Sequence, residues 1–377
     1  MDFTIGEEER ALEETAARVA RDLLAPRAAA HDEAASFVGE NLAALGKLGF
    51  LGLNLREEEG GAGAGSLGIS LVVERVAGAC AATASAMTAH YLATDAIAIA
   101  GTDAQKAQWL PAAAEGRALG AFALSEPQAG SNPTDMTTRG EAVEGGWHLT
   151  GTKQWITNGG FADFLVVFAR TDPAAGARGL SAFLVGRDAP GFRKGAAERT
   201  MGLKGAPVFE LGFDCRLPAD ALLGPAGSGF KTAMAVLDRG RVEIASMALG
   251  IAGAAFDAAR DWAKQRQVGG RPIADLQGLQ WMLADMHAEL EAARLLTWRA
   301  ALARDSGQRF SREAAVAKLY ASEMAGRVTD AALQIHGGYG YSRALPLERY
   351  ARDARILRIF EGSSEIQRNI IARELLR

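Results

Sequence analysis

Residues 164–186 read FLVVFARTDPAAGARGLSAFLVG and contain two apolar runs separated by a turn-rich segment. Both runs, 164–170 and 180–186, are short and rich in β-branched and aromatic residues, which is typical of strands. The segment between them contains proline, glycine and aspartate, which favour turns. Similar strand-like runs occur at 147–151 and 208–215, with no helical pattern between them. Because parallel strands need long crossover connections, usually helical, this pattern predicts an antiparallel sheet.

Helical patterns flank the β region on both sides. Residues 1–120 are dominated by alanine, leucine and glutamate, and beyond residue 225 apolar residues recur at the three- and four-residue spacing of amphipathic helices. The pattern predicts helices at about 229–267, 279–293, 311–336 and 346–359, and a final helix from 365. The predicted fold class is α+β and mainly α: an all-helical domain over 1–120, a β domain over 121–225 and a four-helix bundle over 226–377.

The composition excludes several classes of protein. The chain has 377 residues, 49% of them hydrophobic, and a formal net charge of −4. With no basic stripe, a nucleic acid or an anionic membrane is not expected as a partner. No apolar run approaches the ~20 residues needed to span a bilayer, so no membrane insertion is expected. The two cysteines and five histidines are not spaced as metal ligands or as a disulfide framework, so no metal is expected. A reducing cytoplasm fits best, because the N-terminus lacks the features of a signal or transit peptide.

One motif match is deceptive. Residues 63–68, GAGSLG, fit the dinucleotide-binding pattern G-x-G-x-x-G. That fingerprint has to follow a strand within a βαβ unit, whereas here three glutamates precede it and no such unit surrounds it. We therefore predict a loop between helices.

Two stretches of the β region are candidates for ligand contacts. The loop LSEPQAGSN (124–132) offers hydroxyls and backbone N–H groups, although an ordinary connecting loop has the same composition. In GTKQWITNGG (151–160), Trp155 and Thr157 are two residues apart and therefore project from the same face of a strand. An indole plane and a hydroxyl placed in this way could hold a planar heterocycle. A core tryptophan beside an edge threonine would have the same spacing.

A third candidate lies in RIFEGSSEIQR (358–368), where Glu361 follows an apolar run and precedes a turn. Ser364 and Gln367 have the spacing of a capping box, which predicts the start of a helix. Partial desolvation would raise the pKa of Glu361 and make its carboxylate a competent base near neutral pH. A solvated charge at a helix start is an equally good interpretation of the spacing alone.

Taken together and in this order, the motifs resemble the acyl-CoA dehydrogenase family over nearly the whole chain. The stretches that carry the resemblance are LSEPQAGS, GTKQWITNGG, LDRGRVEIASMALGIA (237–252), QIHGGYGY (334–341) and RDARILRIFEGSSEIQR (352–368). Within the family, EAARLLTWRAAL (291–302) and Gly240 are most similar to the short-chain, butyryl-type branch. The resemblance implies helical, β and helical-bundle domains with FAD between them, and a homotetramer that is a dimer of dimers.

The resemblance also implies roles for individual residues. The cofactor-binding positions are Phe122, Leu124, Ser125, Ser131, Trp155, Ile156, Thr157, Arg266, Gln277, Gln334, Gly337, Gly338, Ser363 and Glu365. The substrate-binding positions are Ser131, Asp238, Arg241 and Gly362. Of the cofactor positions, Arg266, Gln277, Gln334, Gly337 and Gly338 match residues that reach the FAD of an adjacent subunit.

Glu361 matches the catalytic base, which removes the α-proton of an acyl-CoA thioester while the β-hydrogen leaves as hydride to the flavin. Some branches carry the base in the long helix, at the position of Gly240, and glycine cannot serve there. The expected reaction is 2,3-dehydrogenation of a short- or branched-chain acyl-CoA to the trans-2-enoyl-CoA, with electrons passing to electron-transfer flavoprotein. A dehydrogenase of acyl-carrier-protein thioesters, an oxygen-dependent acyl-CoA oxidase and a scaffold without catalysis remain alternatives.

Overall fold

A computed structural model describes residues 4–376 and begins with a helical region. Its first helix continues through one π-helical turn at Ala20–Leu24 into the second, so that α1 and α2 form one long rod. The helices are α1 (Glu7–Val19), α2 (Ala25–Ala34), α3 (Gly39–Lys47), α4 (Ser66–Ala79), α5 (Ala81–Ala100) and α6 (Asp103–Ala114). Helix α5 is buried over most of its length. It therefore forms the centre of this region, with the other helices around it.

The next region is a β-sheet with the strand order β6-β7-β3-β2-β4-β5-β8, and β1 pairs with β4 off this path. The strands are β1 (Gly120–Ala123), β2 (Arg139–Val143), β3 (Gly146–Thr157), β4 (Phe164–Arg170), β5 (Leu180–Gly186), β6 (Phe192–Ala197), β7 (Val208–Pro218) and β8 (Leu222–Leu223). All four strand-like runs of the sequence form strands. The two runs of residues 164–186 form the antiparallel pair β4–β5, as the predicted antiparallel sheet requires.

The sheet contains two parallel contacts that the sequence pattern did not predict. Strand β1 pairs in parallel with the first four residues of β4, and β2 touches β4 in parallel at Arg139 and Arg170. The chain reaches β1 from α6, and the β2–β3 hairpin separates β1 from β4. No tight turn links β1 to β4, so no hairpin constrains their direction.

The C-terminal region is a bundle of long helices. Its helices are α7 (Gly229–Gln265), α8 (Gln277–Asp305), α9 (Ser311–His336), α10 (Gly338–Tyr341), α11 (Leu347–Arg355) and α12 (Ser364–Leu375). A short hairpin of β9 (Gln267–Val268) and β10 (Arg271–Pro272) follows α7. Residues 356–358 form a 3-10 turn, so the helix predicted to run to 359 ends earlier as an α-helix. The tight packing of these helices rests on alanine: the buried face of α9 includes Ala314, Ala317, Ala321 and Ala325.

By length and apolar composition alone, α7 could cross a membrane, and it is the one such helix among residues 4–376. The sequence predicted no apolar segment near the length that spans a bilayer, and this prediction is wrong for α7. In this structure 72% of the apolar window of α7 is buried within the protein. Helix α7 packs between α4 and α9, so its apolar character also matches that of a core helix.

Residues 63–65 of the segment 63–68 form a loop as predicted, whereas residues 66–68 are the first turn of α4. The carboxylate of Asp305, at the end of α8, accepts hydrogen bonds from Ser66 N at 2.8 Å and from Leu67 N at 3.3 Å. It also accepts one from the Ser66 hydroxyl at 2.5 Å. The free N–H groups of this helix start are thus satisfied from within the chain. These contacts agree with the rejection of a dinucleotide site.

Candidate active site

A cavity of about 1200 Å³ lies where the N-terminal helices, the sheet and the C-terminal bundle meet. Helix α5 contributes small side chains to it, and the loop after β1 and the end of β3 contribute polar and aromatic ones. The loop 199–206, the first turns of α7 and the segment 355–374 complete the wall. Of the residues predicted from the sequence, the cavity brings together Phe122, Leu124, Ser125, Ser131, Trp155, Ile156, Thr157, Asp238, Arg241, Glu361, Gly362 and Ser363.

The carboxyl group of Glu361 faces this cavity. Its Oε2 is shielded from solvent and has no hydrogen-bond partner among residues 4–376, although the residue as a whole is only half-buried. The backbone of Glu361 is in the left-handed region, with φ at 52°, and Gly362 follows with φ at 93°. A non-glycine residue in this region is uncommon and marks a turn that the surroundings must hold in place. The turn directs the carboxylate back from the chain into the cavity.

The environment of Glu361 brings its pKa close to neutrality. Burial raises the pKa, while the nearby charges of Lys318 and Arg241 lower it, and the balance is a pKa of about 7. Burial disfavours the charged carboxylate, and neighbouring cations favour it. A group with this pKa can both accept and release a proton near neutral pH.

Gly240 of α7 lies directly against the Glu361 carboxylate. A Cβ atom at position 240 would meet Glu361 Oε2 inside van der Waals distance, and it would be 2.7 Å from Leu92 Cδ2. The space that a side chain at 240 would fill is therefore the space that the Glu361 carboxylate occupies. Positions 361 and 240, the two that the sequence offers for a base, are therefore adjacent in the fold.

On the same turn of α7 as Gly240, the half-buried Asp238 and the buried Arg241 form a polar group with the start of α9. The Arg241 guanidinium is paired with the Asp238 carboxylate, which also accepts a hydrogen bond from the Ser311 hydroxyl. Burial lowers the pKa of Arg241, whereas the charges of Asp238 and Glu361 raise it. Asp238 and Arg241, two of the predicted substrate positions, thus line the cavity beside the carboxylate of Glu361.

Trp155 and Thr157 also line the cavity, but the simple alternation of a strand does not place them there. The pairing of β3 with β7 shifts register between Lys153 and Ile156, and Trp155 has φ at 63°. This β-bulge turns the indole outward, so that 56% of Trp155 is exposed. Ile156 is buried beneath it. An exposed indole face at a cavity wall can stack on a planar ring.

A buried ion pair holds the loop 124–132 against β3. Lys153 Nζ lies 2.8 Å from Glu126 Oε1, with both side chains fully buried, and donates to Leu124 O at 3.0 Å. Burial would raise the pKa of Glu126, but Lys153 and the N–H of Thr137 outweigh this effect and lower it to about 2. The backbone N–H of Gln154 donates to Ser125 O at 2.9 Å. These bonds hold Leu124 and Ser125 at the cavity wall.

The remaining predicted positions lie outside the cavity. Arg266, Gln277, Gln334, Gly337 and Gly338 are exposed on the C-terminal bundle, and Glu365 is exposed in the first turn of α12. The Arg266 guanidinium stacks on the ring of Tyr339, 5.8 Å from its centroid, which places it beside Gly337 and Gly338. One surface patch therefore includes these three positions, and their assigned roles remain predictions.

The predicted capping box at Ser364 is wrong, although a helix does begin there. The N-cap residue is Ser363, and its side chain makes no capping bond. The Ser364 hydroxyl donates instead to Glu323 at 2.6 Å, and Gln367 Nε2 donates to Gly362 O at 2.8 Å. Both side chains are buried, so they hold the turn before the helix rather than the N–H groups of its first turn.

Sequence reasoning missed Lys318, which is fully buried in α9 and donates to Gly362 O at 2.7 Å. A signal for it was present. Lys318 lies on the stripe formed by Ala314, Ala321 and Ala325, at the three- and four-residue spacing of a buried helix face. A lysine on such a stripe needs a buried partner, because an unpaired charge in a core is strongly disfavoured.

Comparison with known protein families decides the identity of this fold and site. Models of the acyl-CoA dehydrogenase N-terminal, middle and C-terminal domains match residues 6–117, 121–215 and 227–376. The chain belongs to the acyl-CoA dehydrogenase family. It is thus an oxidoreductase of the flavin-dependent acyl-CoA dehydrogenase type.

Two curated relatives match this acyl-CoA dehydrogenase over almost its full length. The short-chain specific acyl-CoA dehydrogenase, mitochondrial, of Bos taurus is 45% identical, over 97% of the chain and 89% of the relative. The acryloyl-CoA reductase (NADH) of Anaerotignum propionicum is 43% identical, over 100% of the chain and 96% of the relative.

Two solved structures share the fold. The butyryl-CoA dehydrogenase from Megasphaera elsdenii has a TM-score of 0.98 at 39% identity, and each chain is covered completely. A chain from a study of the electron transferring flavoprotein of Acidaminococcus fermentans also has a TM-score of 0.98, at 41% identity and complete coverage of both chains.

Proposed function

We propose that this acyl-CoA dehydrogenase catalyses the FAD-dependent 2,3-dehydrogenation of a short- or branched-chain acyl-CoA, with Glu361 as the base that removes the α-proton. The observation that carries the proposal is the Glu361 carboxylate. It faces the cavity, its Oε2 has no hydrogen-bond partner, and its pKa is about 7. The short chain length is supported by the similarity to butyryl-CoA and short-chain specific dehydrogenases.

The residues at the cavity fit a flavin. The exposed indole of Trp155 offers a surface for stacking, and Thr157 and Ser125 offer hydroxyls along the same wall. Phe122 adds an aromatic ring that packs on Phe168, 4.9 Å between ring centroids. When bound, FAD supplies the acceptor for the hydride that leaves the β-carbon. These residues would hold and orient the ring system against the Glu361 side of the cavity.

The chain's own residues account for the proton transfer. Glu361 accepts the α-proton in its ionised form, and the cations Lys318 and Arg241 keep a useful fraction of it ionised at neutral pH. A bound thioester would displace water from the cavity, which strengthens the electrostatic interactions inside it. The backbone N–H of Glu361 has no acceptor among residues 4–376, so it is free to polarise the thioester carbonyl.

Arginine side chains at the cavity wall suit the phosphates of a nucleotide. Arg199 and Arg355 line the cavity, and neither has an ion-pair partner within residues 4–376. Guanidinium groups bind phosphate oxygens in a bidentate manner. Their presence supports a CoA thioester over a small free acid as the substrate.

The reverse reaction is a second candidate, because the acryloyl-CoA reductase (NADH) is a relative at 43% identity. A group with a pKa of about 7 is protonated often enough at neutral pH to return a proton to the α-carbon. Reduction of an acyl-CoA with a 2,3 double bond by a reduced electron donor would then use the same residues. Comparing the rates in the two directions at fixed pH tests which direction prevails.

We propose electron-transfer flavoprotein as the redox partner and a homotetramer as the assembly. The structural match from the study of an electron transferring flavoprotein supports the partner. Exposed apolar side chains on the C-terminal bundle support the assembly, for example Trp281, which is 63% exposed on α8. The two cysteines are free and buried, which supports the proposed location in the cytoplasm.

The variant Glu361→Gln tests the central proposal. Glutamine has nearly the same shape and cannot act as the base, so we expect the protein to retain its yellow flavin and to lose about 10³–10⁴-fold in kcat. Steady-state turnover of butyryl-, isobutyryl-, isovaleryl- and palmitoyl-CoA with a dye acceptor, together with the flavin absorbance, is the measurement. Glu210→Gln, an exposed glutamate on β7, is the control and should leave turnover unchanged.

Retained turnover in Glu361→Gln would show that another group removes the proton. Turnover of acyl-carrier-protein thioesters without turnover of CoA thioesters would show that the substrate is carried by a protein and not by CoA. Rapid peroxide formation without an added acceptor would identify an oxidase instead. The CoA panel, a parallel assay of carrier-protein thioesters and a peroxide assay without added acceptor therefore separate the proposed dehydrogenase from each of these alternatives.

A further inference from the structure

The catalytic turn is anchored by a lysine from another helix. Lys318 Nζ, on α9, donates to the carbonyl oxygen of Gly362 at 2.7 Å. Gln367 Nε2, on α12, donates to the same oxygen at 2.8 Å. Both donor side chains are fully buried, and the acceptor Gly362 is half-buried at the cavity wall. Two buried donors from two helices thus fix one carbonyl group beside Glu361.

That carbonyl belongs to the second of two consecutive residues in the left-handed region. A non-glycine residue in the left-handed region is strained, and such a conformation persists only when the surroundings hold it. Without an anchor the turn at Glu361 could relax and carry the carboxylate away from the cavity. The anchoring bonds are the surroundings that prevent this relaxation.

Lys318 also acts on Glu361 through its charge. Among the charged groups near Glu361, Lys318 and Arg241 lower its pKa. Burial lowers the pKa of Lys318 to about 8, with opposing contributions from Glu361, Glu323 and Glu365. Glu243 of α7 is also buried nearby, and burial, Asp95 and Glu361 raise its pKa well above the usual value.

We propose that Lys318 is a positioning residue for the base: its ammonium anchors the Gly362 carbonyl, fixes the turn that aims the Glu361 carboxylate, and favours the ionised form of that carboxylate. The proposal rests on the proposed function for its kinetic consequences. The contact between Lys318 and the turn does not depend on it.

The test compares two variants of the holoenzyme that remove different parts of this arrangement. Lys318→Met removes one donor and the charge, whereas Gln367→Met removes the other donor and leaves the charge. For Lys318→Met we expect a decrease in kcat of about 10-fold or more, and a rise of about one pH unit in the midpoint of kcat/KM against pH. For Gln367→Met we expect a lower kcat with the midpoint unchanged. Lys47→Met, at an exposed lysine on α3, is the control.

An unchanged pH midpoint in a folded, flavin-loaded Lys318→Met enzyme would overturn the role of the charge. An unchanged kcat in both variants would overturn the anchoring role. If Lys318→Met does not retain flavin, the shorter neutral variant Lys318→Gln takes its place in the same assay.

A double-mutant cycle in thermal unfolding at pH 8 provides a readout that does not use turnover. Lys318→Met should lower the melting temperature more in the wild-type background than in the Glu361→Gln background. In the wild-type background the variant leaves the Glu361 carboxylate without its cation, whereas the glutamine of Glu361→Gln carries no charge. Equal effects in the two backgrounds would refute the coupling. Because the cycle needs no substrate, failure of the coupling is distinguishable from failure of the proposed reaction.

Discussion

At the scale of the residue, the proposed base Glu361 and the glycine opposite it, Gly240, form one steric unit. From the sequence, Glu361 is predicted as the base by its setting and by the family resemblance, whereas Gly240 is a mark of the short-chain branch and a position that lacks a base. The structure shows that the two share one space, because a Cβ at 240 would overlap the Glu361 carboxylate. Glycine at 240 is thus required for the present position of Glu361.

Gly240→Ala should therefore impair catalysis. The added methyl group would meet Glu361 Oε2 and Leu92, and displacement of the carboxylate by about 1 Å can cost on the order of 100-fold in rate. We expect kcat to fall about 10- to 100-fold, with the flavin content unchanged. Steady-state kinetics and flavin absorbance measure both quantities.

Gly253→Ala is the matched control, because it lies in the same helix and an added Cβ there meets nothing within 4 Å. It should keep full activity and be slightly more stable, since alanine favours helix more than glycine. If the two variants behaved alike, crowding at Glu361 would not be the cause of the loss.

At the scale of the element, strand β3 shows where sequence reasoning falls short. Spacing alone predicted that Trp155 and Thr157 lie on one face, and both do line the cavity. The cause is different, because a bulge and a left-handed residue at 155 interrupt the alternation. A bulge depends on the partner strand and leaves no pattern in a single sequence. The buried partner of Lys153, 27 residues away, was invisible for the same reason.

Helices were easier to predict, because their periodicity is local. Helix α9 begins and ends at the predicted residues, and α7 ends two residues early. The periodicity does not predict which polar group a residue on the buried face contacts. Lys318, which donates to the Gly362 carbonyl, is an example.

Lys153→Met should destabilise the β region, because it leaves Glu126 buried without its cation. Breaking one partner of a buried ion pair costs about 3–5 kcal/mol in the free energy of unfolding. We expect this loss in urea unfolding, together with weaker flavin retention, since the pair holds the loop at the cavity wall. The double variant Lys153→Met with Glu126→Leu should recover much of the stability.

Arg187→Met is the control from the same region, where Arg187 forms a more exposed pair with Asp163. Such surface pairs contribute about 0–1 kcal/mol. A loss in Lys153→Met no larger than in this control would contradict the proposed importance of the buried pair.

At the scale of the whole molecule, three regions meet at one large cavity and share their cores. One buried cluster joins the N-terminal helices to the C-terminal bundle, and another joins α5 and α6 to the sheet and the start of α7. Composition and periodicity predicted the order of helices, strands and helices, and the structure has it. The position of the cavity could not be predicted from the residues alone, because it depends on how the three regions pack against one another. The resemblance to a known family supplied the cofactor position instead.

Trp281→Asp should disrupt the proposed tetramer. A charge at this exposed apolar position on α8 would have to be desolvated in an interface. We expect a lower mass by light scattering after gel filtration, and a lower flavin content, because Arg266 and Gly337 would no longer reach a neighbour's cofactor. Both measurements are made on the same sample.

Leu48→Asp, at an apolar residue that is 50% exposed after α3, is the control and should keep the wild-type mass. An unchanged mass in Trp281→Asp would place the interface elsewhere. A lower mass with full flavin content would refute the contribution of the neighbouring subunit.

The order of the elements along the sequence has a consequence for biosynthesis, because Glu361 follows both the N-terminal helices and the sheet. These earlier elements leave the ribosome first, and domains generally fold in the order of their synthesis. The turn at 361–362 and α12, whose Gln367 helps to anchor it, emerge after them. The wall that carries Trp155 can therefore form on a nascent chain that still lacks the proposed base. If Glu361 is the base, a chain truncated before the turn at 361–362 would have most of its cavity and no catalysis.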